Sequence, residues 1–226
     1  MNHNDYLFSI SDKGCEFLRH FEDMYRNCED PHGQSKELQR IDYQIVTAIL
    51  ERAVSTTNNG VGVRMLDVGC GLGYFTGHIQ RLFPEAEVSG CDISATAVEK
   101  AKAHAPQCAF FTCDLKVRTS LPDRTYHVLT ALHVLCYFTD DEIHDVLRNL
   151  LKLTTPGGFV LVGHHLPKQM SFARFMKNLA EARTLFEASG FGMRLELDID
   201  NRLDVTYSGD PVGRNIFLLA QRPAIA

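Results

Sequence analysis

The stretch Met65-Leu66-Asp67-Val68-Gly69-Cys70-Gly71-Leu72-Gly73 constrains this chain most: an apolar run that breaks into glycines at alternate positions. Glycine enters positive φ without steric cost and lets backbone approach a ligand where a helix begins. The stretch therefore reads as a buried strand, a tight turn and a helix opening near Tyr74. Such a turn also serves purely structural ends, so it needs support from elsewhere. Short apolar runs alternating with amphipathic segments continue after it, the pattern of a parallel sheet wound with helices. The spacing predicts parallel strands over 63–68, 86–91, 108–113, 126–131 and 158–163. Thr139-Asp140-Asp141-Glu142 is a capping box ahead of Ile143, Val146, Leu147, Leu150 and Leu151 at helical spacing, and Thr155-Pro156-Gly157-Gly158 ends that helix. A further helix is expected over 168–189, with Phe172, Phe175, Met176 and Leu179 inward. The stretches 193–199 and 215–220, joined across 208–213, read as two antiparallel strands closing the sheet.

The part before residue 58 has a different texture. Helices are expected over 12–27, with Phe17, Leu18, Phe21 and Met24 at helix spacing, and over 35–54, with Ile41, Ile45, Ala48 and Ile49 on one face. Asp30-Pro31-His32-Gly33 breaks the two apart, and 55–60 reads as a linker. The expected division is a helical cap over 1–57 and a sheet domain over 58–226.

Composition excludes several classes. The 226 residues carry 23 Lys and Arg against 28 Asp and Glu, a formal charge of −5, which argues against a nonspecific nucleic-acid binder and leaves room only for a local basic patch. No stretch approaches the ~18 uninterrupted apolar residues of a spanning helix, and the first ten residues lack the pattern of a signal peptide. The odd count of 7 cysteines, without a C-x-x-C pair, fits reduced thiols in a cytoplasm. The expectation is a cytoplasmic monomer or homodimer acting on a small molecule, with no nucleic-acid or membrane partner.

Two acids support the glycine turn. Asp92 stands where the second strand ends, placed to accept both hydroxyls of a ribose, and Asp114 ends the third. Taken singly, either is equally a helix cap. Together with the turn they put a nucleoside site at the carboxyl ends of consecutive strands, where ligands sit in open α/β sheets. A dinucleotide fingerprint needs a third glycine, and both frames place another residue there, Tyr74 or Thr76. The phosphate-loop signature G-x-x-x-x-G-K-[ST] is absent as well.

These residues resemble the class I S-adenosylmethionine-dependent methyltransferases over about 63–222. Asp67-Val68-Gly69-Cys70-Gly71-Leu72-Gly73 matches that family's D-x-G-x-G-x-G loop, Asp92 its ribose-binding acid, Asp114-Leu115 its adenine-contacting acid and neighbour, and 153–162 its L-x-P-G-G-x-L stretch. The resemblance implies an α/β, Rossmann-like, seven-stranded and mostly parallel sheet with helices on both faces, an antiparallel terminal hairpin and an N-terminal helical cap. It implies S-adenosylmethionine as cofactor and S-adenosylhomocysteine as product. Asp67, Gly69, Cys70, Gly71 and Gly73 would cradle the methionine end, while Ile93 and Leu115 pack on adenine. After the fourth strand the chain reads Leu132-His133-Val134-Leu135-Cys136-Tyr137, not the N/D-P-P-Y motif of DNA and some rRNA and protein-glutamine methyltransferases. It is similar there to small-molecule methyltransferases, with His133 where many have an acid. Phe21-Glu22-Asp23-Met24-Tyr25 with Glu29-Asp30-Pro31 is distantly similar to nodulation-type N-methyltransferases, whose Trp after the Pro is His32 here.

Methyl transfer needs nucleophile, methyl and sulfur aligned in a dry site. Aromatic faces suit a cationic sulfonium, and Tyr25, Tyr43 and Tyr137 are the expected substrate contacts. His133, leaving the fourth strand, and His164 and His165, leaving the fifth, are the candidate bases, for an N or O nucleophile on a small acceptor. Buried, satisfied histidines are the plain alternative. No metal is expected, since neighbouring strand residues face opposite ways and no HExxH or Cys/His cluster occurs. A noncatalytic cofactor-binding scaffold and a nicotinamide-dependent reductase are the competing readings. The intact loop and acids weigh against the first, and the missing third glycine and Tyr-x-x-x-Lys dyad against the second.

Overall fold

The computed structural model describes residues 4–11, 14–57, 61–166, 178–200 and 214–224. A short helix α1 (Asn4–Leu7) leads into a hairpin of β1 (Phe8–Ser11) and β2 (Gly14–Phe17), then α2 (Phe21–Asn27), a 3-10 turn over Gln34–Gln39 and α3 (Ile41–Ser55). The alternating part follows: β3 (Arg64–Val68), α4 (Tyr74–Leu82), β4 (Glu87–Asp92), α5 (Ala95–His104), β5 (Ala109–Thr112), β6 (Tyr126–Leu132), α6 (Asp140–Leu153) and β7 (Thr154–Leu166). It closes with α7 (Leu179–Ala188), β8 (Gly192–Asp200) and β9 (Arg214–Gln221).

Strands β3 to β9 form one sheet in the order β5-β4-β3-β6-β7-β9-β8. The five from β5 to β7 run parallel, and β9 pairs antiparallel with both β7 and β8. The chain thus begins at the sheet's middle, winds outward through β4 and β5, and returns to β6 on the other side of β3. That reversal leaves a crevice outside the carboxyl ends of β3 and β6, where such sheets hold ligands. This is the expected α/β, Rossmann-like architecture with its antiparallel terminal strands.

Side-chain alternation with period two divides the core. On one face Leu66, Leu129, Val160, Val162 and Leu218 pack with Ile143, Val146, Leu147 and Leu150 of α6 and Phe186 of α7. On the other, Met65, Val128, Leu161 and Phe217 pack with Val46, Leu50 and Ala53 of α3, Ile79 of α4 and Val98 and Ala101 of α5. Both faces are covered, which is why the central strands are nearly continuous apolar runs. Burying each such side chain contributes roughly 1.5–3 kcal/mol. The expected capping box opens α6, with the Glu142 carboxylate accepting from the Thr139 N–H at 2.9 Å.

Several expectations about local structure need correction. The helix foreseen over 12–27 begins only at Phe21, because the preceding residues pair as β1 and β2, with Phe8 opposite Phe17 and their rings 5.3 Å apart. Strand alternation there outcompetes the helical spacing of Phe17 and Leu18. The helix foreseen over 35–54 is broken at Arg40, which is extended, and its buried stripe is Tyr43, Val46, Ile49, Leu50, Ala53 and Val54, with Ala48 on the exposed side. The stripe turns because Asp42 is itself buried, held by Arg40 and by Asn215 of β9. Since α3 packs into the sheet's own core, it forms one layer of the body, while residues 4–39 lie at the carboxyl edge. The fifth strand is longer than 158–163: Thr154 already pairs with Tyr126, and the register then shifts before Phe159 meets Val128, across Gly157 at φ +80°. Phe172, Phe175 and Met176 and the 208–213 connection lie outside the described residues.

Leu147, 1% exposed on α6, is embedded in the first of these two packed layers. Leu147→Ala is expected to lower stability by about 2–5 kcal/mol, through lost burial and the cavity left behind. Urea unfolding should report this as a lower midpoint with an unchanged slope.

Candidate active site

The crevice is a cavity of about 420 Å³, within the range of roughly 300–1,000 Å³ in which small-molecule sites fall. Its floor is the ends of β3, β4, β5 and β6. Its roof is the segment before α3, which supplies Leu7, Phe8, Phe21, Tyr25, His32, Gln34 and Glu37.

The glycine turn is shaped from beneath. Gly69, Gly71 and Gly73 all have positive φ, of 69°, 52° and 77°. The N–H groups of Gly69 and Cys70 both donate to the Cys91 carbonyl, at 2.7 and 3.0 Å, which folds the turn back over β4. A Cβ on Gly69 would collide with the Val134 side chain, so only glycine leaves this edge of the cavity open. Gly69 and Cys70 line the cavity; Gly71 and Gly73 sit behind it. Gly71 donates to Asp92, and Gly73 caps α4 close against α5.

Asp92 is 7% exposed and lines the cavity. One carboxylate oxygen accepts from Gly71 N at 3.0 Å and the other from Ser94 N at 2.9 Å. A carboxylate has about four lone-pair positions, so each oxygen keeps capacity for one further donor, as a vicinal diol requires. Burial raises its pKa, against the pull of the backbone donors. Ile93 beside it is 47% exposed, an apolar face at the cavity rim, and Leu115 is buried on the far side. Asp114 also lines the cavity, its Oδ1 accepting from Lys116 N at 2.9 Å. The acceptor and apolar groups present thus fit a nucleoside. Asp67 lies deeper, receiving hydroxyl hydrogen bonds from Thr76 at 2.6 Å and Thr130 at 2.7 Å; burial lifts it to about 6 against those two donors.

The expected acceptor residues separate. His133 lines the cavity at the end of β6 in a left-handed conformation, φ +57°, held by its N–H on the Gly163 carbonyl at 2.7 Å. Such strain in a residue other than glycine clusters at functional sites. His164 is fully buried in β7, opposite Ile216 and outside the cavity lining. The backbone of His165 pairs with Asn215, one register step further along. Tyr25, Tyr43 and Tyr137 all line the cavity. Tyr43 stacks edge-on against Phe75 at 5.2 Å and lies 6.5 Å from the His133 ring; Tyr137 packs on Phe21 at 5.0 Å and Phe8 at 6.4 Å.

Sequence reasoning missed Arg19, Gln34, Glu37, Arg40 and Lys116, all of which line the cavity. Glu37 left no trace, since it stands in the polar stretch Gln34-Ser35-Lys36-Glu37-Leu38-Gln39-Arg40. Arg19 and Lys116 meet on Glu142, and Gln34 Oε1 accepts from Leu72 N at 2.8 Å, which ties the roof to the glycine turn. Glu22 of α2 adds a second tie at the amino end of α5, accepting from Ser94 Oγ at 2.7 Å and from the Thr96 N–H and hydroxyl. Lys100 of α5 reaches back to the carbonyls of Tyr25 and Cys28.

Comparison with known proteins adds three relatives. Residues 65–158 match a family model described as "Methyltransferase domain". The chain is 30% identical over 147 residues to a ubiquinone biosynthesis O-methyltransferase of Vibrio cholerae, covering 63% of this chain and 57% of that one. It is 27% identical over 154 residues to the tRNA N(3)-cytidine methyltransferase METTL2 of Bos taurus, covering 64% of this chain and 40% of that one. The chain therefore spans little more than half the length of the first of these relatives and less than half of the second. The fold is that of the N-methyltransferase NodS from Bradyrhizobium japonicum, solved with S-adenosylhomocysteine: TM-score 0.65 at 15% identity, over 90% of this chain and 98% of that one. Among the described residues there is no cluster of metal-binding side chains, and no helix is long and apolar enough to cross a membrane.

The roof's ties carry a pH signature. Hydrogen bonds from Thr96 and Ser94 lower Glu22 to about 2 from 4.5. Burial would raise Glu142, but Arg19, the Thr139 N–H and Lys116 bring it to about 2. Both carboxylates are depressed in the folded state, so their contribution is complete above pH 4.5 and is lost as pH falls toward 2. Pepsin digestion over that range should cut first within residues 18–40, before the sheet; cleavage of the sheet at the same pH would contradict this.

Proposed function

On the premise that this chain carries a methyltransferase domain of the class I S-adenosylmethionine-dependent type, we propose that it transfers a methyl group to an N or O nucleophile of a small-molecule acceptor held beneath its N-terminal roof. The observation that carries this reading is that the ribose-type acid Asp92, the open glycine edge at Gly69 and the strained His133 all face one cavity. S-adenosylmethionine, when bound, supplies a methyl group made electrophilic by its sulfonium. Asp92 would accept the two ribose hydroxyls, Ile93 and Leu115 would pack against adenine together with Asp114, and Gly69 and Cys70 would give room to the methionine end, with Asp67 supporting the turn. The roof excludes water and fixes the acceptor's approach; orientation of this kind lowers barriers by up to roughly 7–11 kcal/mol.

His133 orients the acceptor or takes its proton from the end of β6, and Tyr25, Tyr43 and Tyr137 pack on it. His164 is then structural, since it is fully buried in β7 and outside the cavity lining. A small acceptor is favoured over a nucleic acid because the cavity is roofed by residues 7–37 and its rim carries carboxylates as well as cations. In this reading the segment before α3 supplies the roof, and α3 joins residues 58–226 in the cofactor-binding body, so the division falls near Arg40 and not at residue 57.

Hydrogen bonds to a charged group are worth roughly 1.5–3 kcal/mol each, so Asp92→Ala should weaken S-adenosylhomocysteine binding tens to thousands of fold by calorimetry. Since Asp92 also holds Gly71 and Ser94, the melting temperature should fall too. A folded variant with unchanged affinity would take Asp92 out of the site.

For His133 the informative change is His133→Asn, because asparagine tolerates the left-handed backbone that alanine would strain. Turnover should drop about 10²- to 10⁴-fold if the imidazole moves the proton. Affinity for S-adenosylhomocysteine should stay the same. Full turnover in this variant would leave orientation by the other wall residues as the catalytic account.

A further inference from the structure

Glu37 stands out among the groups that methyl transfer leaves unused. It lies in the 3-10 turn over Gln34–Gln39, is 8% exposed and lines the same cavity as Gly69 and His133. We propose that the acceptor is a primary or secondary amine, anchored by the Glu37 carboxyl group and the aromatic faces of Tyr43, Phe75 and Tyr137. This rests on the methyl-transfer reading above and narrows its acceptor to one chemical class.

Charge favours that class. Facing Glu37 are the Tyr43 hydroxyl of α3, which hydrogen-bonds it, the Arg40 guanidinium, and the carboxylates of Asp67 on β3 and Asp30 in the preceding loop. Arg40 is committed elsewhere: its Nε and Nη2 bind the buried Asp42, which also receives Asn215 Nδ2 at 3.2 Å. The acceptor half of the cavity thus presents an acid, with a second one behind it, to whatever enters. An ammonium entering there holds Glu37 in its ionised form as countercharge and lies on aromatic faces, whereas a carboxylate or phosphate meets carboxyl groups that give it no countercharge. Burial holds Glu37 near 8, with Tyr43 and Arg40 pulling down and Asp67 and Asp30 pushing up. That basicity suits a group that gives up and takes up a proton close to neutrality.

The proton balance separates amines from phenols, whose hydroxyls have a similar acidity. An ammonium gives its proton to Glu37 and becomes neutral. A phenol doing so leaves a phenolate beside Asp67. The freed nitrogen lone pair then forms the C–N bond while the methyl C–S bond breaks and its electron pair stays on sulfur. The product leaves as a methylated ammonium, and Glu37 passes its proton to solvent, so one proton is released per transfer.

The test uses the full chain, with S-adenosylhomocysteine affinity measured first by calorimetry. Thermal shift and calorimetry with that product bound then compare a panel of primary and secondary arylalkylamines with alcohols, phenols and carboxylic acids of matched shape. The proposal expects binding from members of the amine set alone, weakened about ten- to a hundredfold in Glu37→Gln, whose S-adenosylhomocysteine affinity stays that of the wild type. Binding by phenols or carboxylic acids in place of amines, no binding by any amine, or equal amine binding in Glu37→Gln overturns it. If Glu37→Gln fails to fold, the class selectivity of the wild type decides alone. Failure to bind S-adenosylhomocysteine at all would instead overturn the methyl-transfer reading.

Discussion

The Asp92 carboxylate is the joint on which the site is assembled. It is buried at the end of β4, and its two oxygens hold the N–H of Gly71 in one loop and of Ser94 in the next. The positive φ values at Gly69, Gly71 and Gly73 make that closure sterically open, and the Cys91 carbonyl completes it by accepting from Gly69 and Cys70. A charge taken out of water this completely persists only where several donors face it. The donors here are backbone groups at the carboxyl ends of adjacent parallel strands. Sheet order, glycine turn and acid are therefore one construction.

The N-terminal segment turns that open crevice into an enclosed cavity. Its polar attachment sits around the rim: Glu22 on the amino end of α5, Gln34 on Leu72, Lys100 on the carbonyls of Tyr25 and Cys28 at the end of α2, and Arg19 with Lys116 on Glu142. Inside the rim lies an apolar cluster of Leu7, Met24, Tyr25, Leu72 and Ala97 with Tyr6, Phe8, Phe21, Tyr74 and Tyr137 packed against it, separate from the two layers of the sheet's core. A roof attached in this way opens at lower cost than one fused to the core. Such a roof suits a site that must admit and release its ligands. By contrast, α3 is part of the sheet's packed layer, so the roof ends where Arg40 breaks the helix.

Much of this was legible in the chain. The strand-turn-helix at 65–74, the acids at 92 and 114, the capping box at 139–142 and all seven strands of the main sheet follow from patterns that local physics enforces: glycine for positive φ, apolar runs for strands covered on both faces, Thr and Glu three apart at a helix start. The strand pairing of Phe8 with Phe17 was not legible, because Phe17, Leu18, Phe21 and Met24 satisfy a helical spacing equally well. Nor was the buried stripe of α3, since Asp42 is carried into the interior by partners two positions and 173 positions away in the chain.

The sequence by itself determined the strands of the sheet and the glycine turn with its two acids, because each depends on residues adjacent in the chain or on a periodicity readable within one segment. Tertiary structure decided the acceptor half. Glu37, Arg40, Tyr43 and His133 come from the roof, the start of α3 and the end of β6, and no spacing rule links them. Their meeting depends on how α3 docks against the sheet. Of two adjacent histidines in β7, parity of the strand sends His164 into the core behind the sheet, while His133 reaches the cavity only because Gly163 holds its backbone in a conformation that sequence pattern does not announce.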